Sequence, residues 1–82
     1  MRVAVDISLY PLADEFLAPI QDVIARLNTH ESLEVLTNPM STQIRGDYDE
    51  VMAALQREMK TTFEAVPKAV FAIRILNNPM AE

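Results

Sequence analysis

Between Leu36 and Asp49, small polar side chains stand at high density beside strand-forming residues: Thr37, Asn38, Met40, Ser41, Thr42, Gln43 and Asp47. Hydroxyls and amides held on rigid strands orient a small polar ligand, and each one buried without a partner costs about 1–3 kcal/mol. Asn38, Pro39 and Ser41 taken singly are ordinary turn formers. Together with Thr37, Thr42 and Gln43 they supply more donors and acceptors than a turn requires. Met40 reads either as a gap-filling core residue or as a soft contact for a flat heterocycle. Near the N-terminus, Asp6, Ser8 and Tyr10 recur at a spacing of two, which puts them in one row on one face of a strand. A carboxylate and a hydroxyl in such a row can address a ligand amine and a ring nitrogen.

Arrangements that break bonds are missing. His30 is the only histidine and falls in an expected loop, where it reads as a surface residue. No carboxylates stand at ligand spacing around it, so no metal site is expected. No Ser/His/Asp set can be assembled, and with one glycine no phosphate-cradling loop is possible. Asp47, Asp49 and Glu50 cluster where a helix should begin, which makes capping and dipole roles their simplest explanation. The expectation is a protein that is not an enzyme and carries no cofactor.

The elements that position these residues follow from periodicity. Residues 2–10 alternate, with Val3, Val5, Ile7 and Leu9 on one face and Ala4, Asp6, Ser8 and Tyr10 on the other, until Pro11 closes the strand. From Asp14 the period lengthens: Phe16, Ile20, Val23, Ile24 and Leu27 form one helical stripe, with Pro19 tolerable in the first turn. Asn28, Thr29 and His30 close that helix. Leu33–Thr37 and the segment from Thr42 to Gly46 read as two strands joined by a turn around Pro39. Gly46, the only glycine, is expected to take backbone angles closed to other residues. Asp47 then caps a second helix, with Glu50 completing a capping-box pattern. On that helix Tyr48, Met52, Leu55, Met59 and Phe63 are expected to face the core, flanked by Val51 and Val66, until Pro67 stops it. Ala69–Leu76 is a final strand.

The order β-α-β-β-α-β with right-handed crossovers gives an α+β, ferredoxin-like sandwich: a four-stranded antiparallel sheet with two helices on one face. In that arrangement the last strand lies beside the first, so Arg74 can reach Asp6. Asp6 then either meets a ligand amine or is neutralised by Arg74 at a subunit interface. The uncovered face would show Asp6, Ser8, Tyr10, Val70, Arg74 and Leu76, a set too apolar to remain bare. Packing of sheets between subunits is the expected remedy.

Bulk properties narrow the partners. At 82 residues the chain is one domain, 1–82, of a size that buries only about 60–65% of its unfolded surface. There are no cysteines to staple it, so a homo-oligomer is expected. Seven basic against twelve acidic residues give a net charge of −5, which disfavours nucleic acid and suits a neutral or cationic ligand. No apolar run is long enough to span a membrane, and the N-terminal residues lack a signal-peptide pattern. The cytoplasm is the default expectation.

The runs Val5-Asp6-Ile7-Ser8-Leu9-Tyr10-Pro11-Leu12 and Thr37-Asn38-Pro39-Met40-Ser41-Thr42-Gln43-Ile44-Arg45-Gly46-Asp47-Tyr48-Asp49 resemble the YkoF-related thiamine-binding family. The resemblance continues through Met52 and Glu58-Met59-Lys60 to Ile73-Arg74-Ile75-Leu76-Asn77. It implies a ferredoxin-like fold, dimers or tetramers built through the sheets, and binding of thiamine or its hydroxymethylpyrimidine moiety without catalysis. The motif residues it carries over are Asp6 and Ser8 in the first run, and Asn38, Met40, Ser41 and Thr42 in the second. Tyr10 and Thr37 join them as expected ligand contacts, in a pocket at a subunit junction. The alternative is a structural or regulatory oligomeric module with no small ligand.

Overall fold

A computed structural model describes residues 1–79, so the last three residues of the expected domain lie outside the described residues. The elements are β1 (Arg2–Pro11), α1 (Leu17–Leu27), β2 (Glu34–Thr37), β3 (Thr42–Asp47), α2 (Tyr48–Ala65) and β4 (Ala69–Asn77). The strands form one antiparallel sheet in the order β2-β3-β1-β4. This is the ferredoxin-like arrangement expected from the alternating pattern.

The core lies between the sheet and the helices. Val3, Val5, Ile7 and Leu9 of β1 are buried there with Ile44, Val23, Leu27, Val51 and Leu55. The other face of β1 carries Ala4, Asp6, Ser8 and Tyr10, and the register places Leu76, Arg74, Ala72 and Val70 opposite them on β4. No helix covers this side, and Tyr10, Leu36, Val70 and Leu76 are exposed.

Several local readings change in the structure. Phe16 is the residue before the first turn of α1 and is exposed, so the inward-facing stripe starts at the partly buried Ile20 and its buried members are Val23 and Leu27. Glu15 supplies a helix-start contact by accepting the Ala18 N–H at 3.1 Å. Gly46 has no left-handed backbone conformation. Its missing side chain instead makes room for packing: a Cβ there would stand 2.7 Å from Leu33 Cδ2 and 3.2 Å from Val51 Cγ2. Asp47 caps α2 as expected, accepting the Asp49 N–H at 3.2 Å.

The largest change is the orientation of α2. Its buried residues are Val51, Ala54, Leu55, Glu58 and Thr62. Of the expected face Leu55 is buried, with the flanking Val51 and Val66; Met52 and Met59 are partly buried against the core, and Tyr48 and Phe63 are exposed. The helix is thus turned by about a quarter of a revolution from the face its large apolar residues suggest. A polar clasp holds that orientation. Arg26 on α1 donates through Nη1 to Glu58 Oε1 at 2.7 Å and to the Glu58 carbonyl at 3.0 Å. Its Nη2 donates to Thr62 Oγ1 at 2.7 Å, and its Nε to Asp22 Oδ2 at 3.0 Å. His30 Nε2 lies 2.6 Å from Glu58 Oε2. His30 is therefore not a bystander in a surface loop but a partner of a buried carboxylate. Burial pushes the Glu58 carboxyl up, yet the hydrogen bonds from His30 and Arg26 outweigh it and leave the net below the ordinary value. Phe63, left outside, meets Phe71 of β4 edge to face with centroids 5.4 Å apart.

Candidate functional site

The ladder between β1 and β3 ends at Ile7↔Thr42, while β1 continues beside β4 to Pro11↔Ala69. β1 therefore outruns β3, and the connection between β2 and β3 passes across the space this leaves. A cavity of about 200 Å³ opens there. Its walls are Ile7 and Leu9 of β1, Ile20, Val23, Ile24 and Leu27 of α1, and Phe71 of β4. Its polar lining comes from Ser8, Tyr10, Thr37, Asn38, Ser41 and Thr42, with Met40 and Pro39 beside them. The structure thus brings Ser8, Tyr10, Thr37, Asn38, Met40, Ser41 and Thr42 around one concavity.

The turn is held by its own side chains. Asn38 Oδ1 accepts the N–H groups of Met40 at 2.7 Å and Ser41 at 2.9 Å, and the Asn38 N–H donates to the Ser41 carbonyl at 2.9 Å. This Asx geometry spends the Asn38 oxygen on the backbone and leaves its amide NH₂ to donate. The Thr37 and Thr42 hydroxyls pair across the strands at 3.1 Å. Ser8 Oγ stands 3.5 Å from the Met40 carbonyl, at the far limit of a hydrogen bond, so it remains available to a closer partner. Met40 is 85% exposed, which removes the core-filling reading of that residue.

Asp6 is not in the cavity lining. It lies in a shallow depression on the uncovered face with Gln43, Arg45, Arg74 and Leu76. Arg74 donates to Asp6 Oδ2 through Nε at 3.1 Å and also through Nη2. The Ser41 hydroxyl, and after it Arg74, holds the Asp6 carboxyl below its ordinary value against the opposing effect of desolvation. Ser41 does not close a directed bond to it, however: among the described residues Asp6 Oδ1 is buried without a hydrogen-bond partner. Ser41 is thus the cavity residue whose hydroxyl also acts on the Asp6 carboxyl.

The apolar wall contributed by α1 was not separable from core in the sequence, because a stripe that lines a cavity and one that fills a core have the same period. No group of three or more metal-binding side chains gathers among the described residues. No helix among them is long and apolar enough to cross a membrane.

An antiparallel sheet covered on one side, with a cavity where two strands differ in length, defines a ferredoxin-like domain with a concave site beside its β2–β3 turn. The chain belongs to the thiamine-binding protein family, whose model matches residues 5–81. Among solved structures it is similar to a hypothetical protein of Methanocaldococcus jannascii, at 25% identity and a TM-score of 0.83, over 99% of this chain and 84% of that one. It is also similar to a putative thiamine biosynthesis/salvage protein of Thermotoga maritima, at 19% identity and a TM-score of 0.69, over 92% of this chain and 82% of that one. A domain of unknown function from Bacillus cereus shares the fold at 17% identity and a TM-score of 0.69, over 96% of this chain and 78% of that one. No curated protein matches the chain significantly.

Proposed function

We propose that this protein is a non-catalytic, cytoplasmic binding protein for thiamine or its hydroxymethylpyrimidine moiety, with the pyrimidine ring in the cavity between α1 and the β2–β3 turn. The observation that carries this reading is the size and polarity of the cavity. A dry void of about 150 Å³ takes a benzene-sized ring, so about 200 Å³ suits one substituted heterocycle and not the whole of a two-ring vitamin. The apolar walls suit ring faces, while the hydroxyls of Ser8 and Ser41 and the Asn38 amide suit ring nitrogens. The unpartnered Asp6 oxygen suits an exocyclic amine approaching past Ser41. A thiazolium held outside would meet a chain of net charge −5. Family membership supports the ligand class.

The pocket is completed at a boundary between copies of this chain, as a dimer or tetramer packed through the uncovered sheet faces. The exposed Tyr10, Leu36, Val70 and Leu76 on that face support this part of the reading. The same face supports a second reading, an oligomeric interaction module that uses the polar cluster for assembly alone.

Calorimetric titration separates them. Thiamine or the pyrimidine alcohol should bind saturably to the wild type and lose its heat when Asp6→Ala and Ser41→Ala are combined, with the circular dichroism unchanged. Absence of heat with thiamine, its phosphates and the pyrimidine alcohol refutes the ligand reading. A change in sedimentation of the double variant with undiminished binding favours the interaction module.

A further inference from the structure

We propose that Glu58 is a positioning residue for the ligand cavity: through Arg26 and His30 it pins the end of α1, the helix whose other side walls that cavity. The inference rests on the cavity being the ligand site and adds a residue that touches no ligand.

Four α1 side chains (Ile20, Val23, Ile24 and Leu27) border the cavity. A helix that packs against a void forfeits the dispersion contacts a filled core would give it. At eleven residues α1 is also too short to be firm by itself. Val23 and Leu27 anchor it in the core, and the clasp adds a directional tie from α1 to α2 that apolar packing does not supply. Arg26 spends every guanidinium nitrogen: Nε on Asp22, Nη1 on Glu58, and Nη2 on Thr62. The Glu58 carboxylate is shared between Arg26 on one oxygen and His30 on the other. The two donors lie on either side of the end of α1, before and after Leu27, so the carboxylate holds that end from both directions.

Its chemistry also argues for placement over stability. A buried ion pair is seldom more stabilising than apolar groups of similar volume, and α2 has apolar residues enough to meet α1. Directional bonds specify one geometry where apolar contacts would accept a range. Glu58 is 5% exposed and Thr62 2% exposed, so their positions tolerate little drift.

The test uses ligand-free and thiamine-titrated protein in four forms: wild type, Glu58→Gln, His30→Ala and His30→Gln. The amide of Gln places a donor near the position of His30 Nε2, so His30→Gln should keep wild-type behaviour. In Glu58→Gln and His30→Ala, amide hydrogen exchange across residues 20–27 should speed up by about tenfold while β1 and β3 keep their protection. Thiamine affinity in the same two variants should fall by about tenfold. Unchanged exchange in α1, faster exchange spread evenly over helix and sheet, or loosened α1 with full affinity would each overturn the inference. Should Glu58→Gln fail to fold, the His30 pair decides by the same criteria. If wild type binds no thiamine, the proposed function fails, and the locality of the exchange change still decides whether Glu58 places α1.

Discussion

Removing both members of the helix clasp should cost no more than removing one, because the two losses are coupled. Arg26→Met deletes the bonds to Glu58 and to Thr62 while leaving the Glu58 carboxylate buried with His30 alone. Breaking a buried pair from one side costs about 3–5 kcal/mol. The lower end applies, because the Arg26 side chain is 21% exposed and water can reach the gap. The exposed Asp22 contact adds only about 0.3–0.5 kcal/mol. We expect Arg26→Met to lose about 3 kcal/mol and Glu58→Leu about 2 kcal/mol, because Arg26 keeps Asp22 and some solvent. The double variant should lose only about 2 kcal/mol, a coupling of about 3 kcal/mol, because no buried charge is left unpaired and the remaining loss is that of the buried Thr62 hydroxyl deprived of its donor. For a domain of this size Arg26→Met then lowers the Tm by roughly 12–24 °C. Urea denaturation of all four forms at one fixed protein concentration gives a like-for-like cycle. Additive losses, with the double variant about 5 kcal/mol down, would show that Glu58 and Arg26 are not a coupled buried pair.

Two further outcomes follow from single positions. Gly46→Ala should lose about 1–3 kcal/mol in thermal or chemical denaturation, since its methyl group displaces Leu33 and presses on the fully buried Val51; a variant as stable as wild type would show that the contact is slack. Acid should act on Glu58: its folded pKa lies below the ordinary 4.5, so its contribution is complete above that value and is lost as pH falls through the depressed folded value. Denaturation midpoints followed downward from pH 6 should therefore drop less steeply in Glu58→Gln than in wild type, and parallel curves would contradict the assignment.

Strand and helix order was legible because β1 and β4 alternate cleanly and because Pro11, Asp47 and Pro67 punctuate the chain at element ends. The rotation of α2 was not legible. Glu58 and Thr62 carry polar side chains, so a hydrophobic pattern sends them to solvent; only their pairing with Arg26, thirty-two and thirty-six positions away in sequence, returns them to the interior. The role of His30 is hidden for the same reason, since its partner Glu58 is a distant residue. Gly46 stands out in the sequence as the only glycine, which suggests backbone freedom, whereas its constraint is the approach of Leu33 and Val51. Around the cavity, the density of hydroxyls and amides between Thr37 and Thr42 located the turn, and the strand period located Ser8 and Tyr10. What no periodicity could indicate was that β3 stops short of β1, the mismatch from which the cavity arises.

That mismatch has a chemical corollary. Beyond Ile7 the flank of β1 facing away from β4 has no β3 residue in register with it, so peptide groups themselves border the opening. Amides and carbonyls offer a guest the same polarity whichever side chain follows. Under the proposed ligand reading, recognition built partly on them is immune to truncation by alanine, and scanning Ser8 to Tyr10 one side chain at a time would understate how much that stretch of chain contributes.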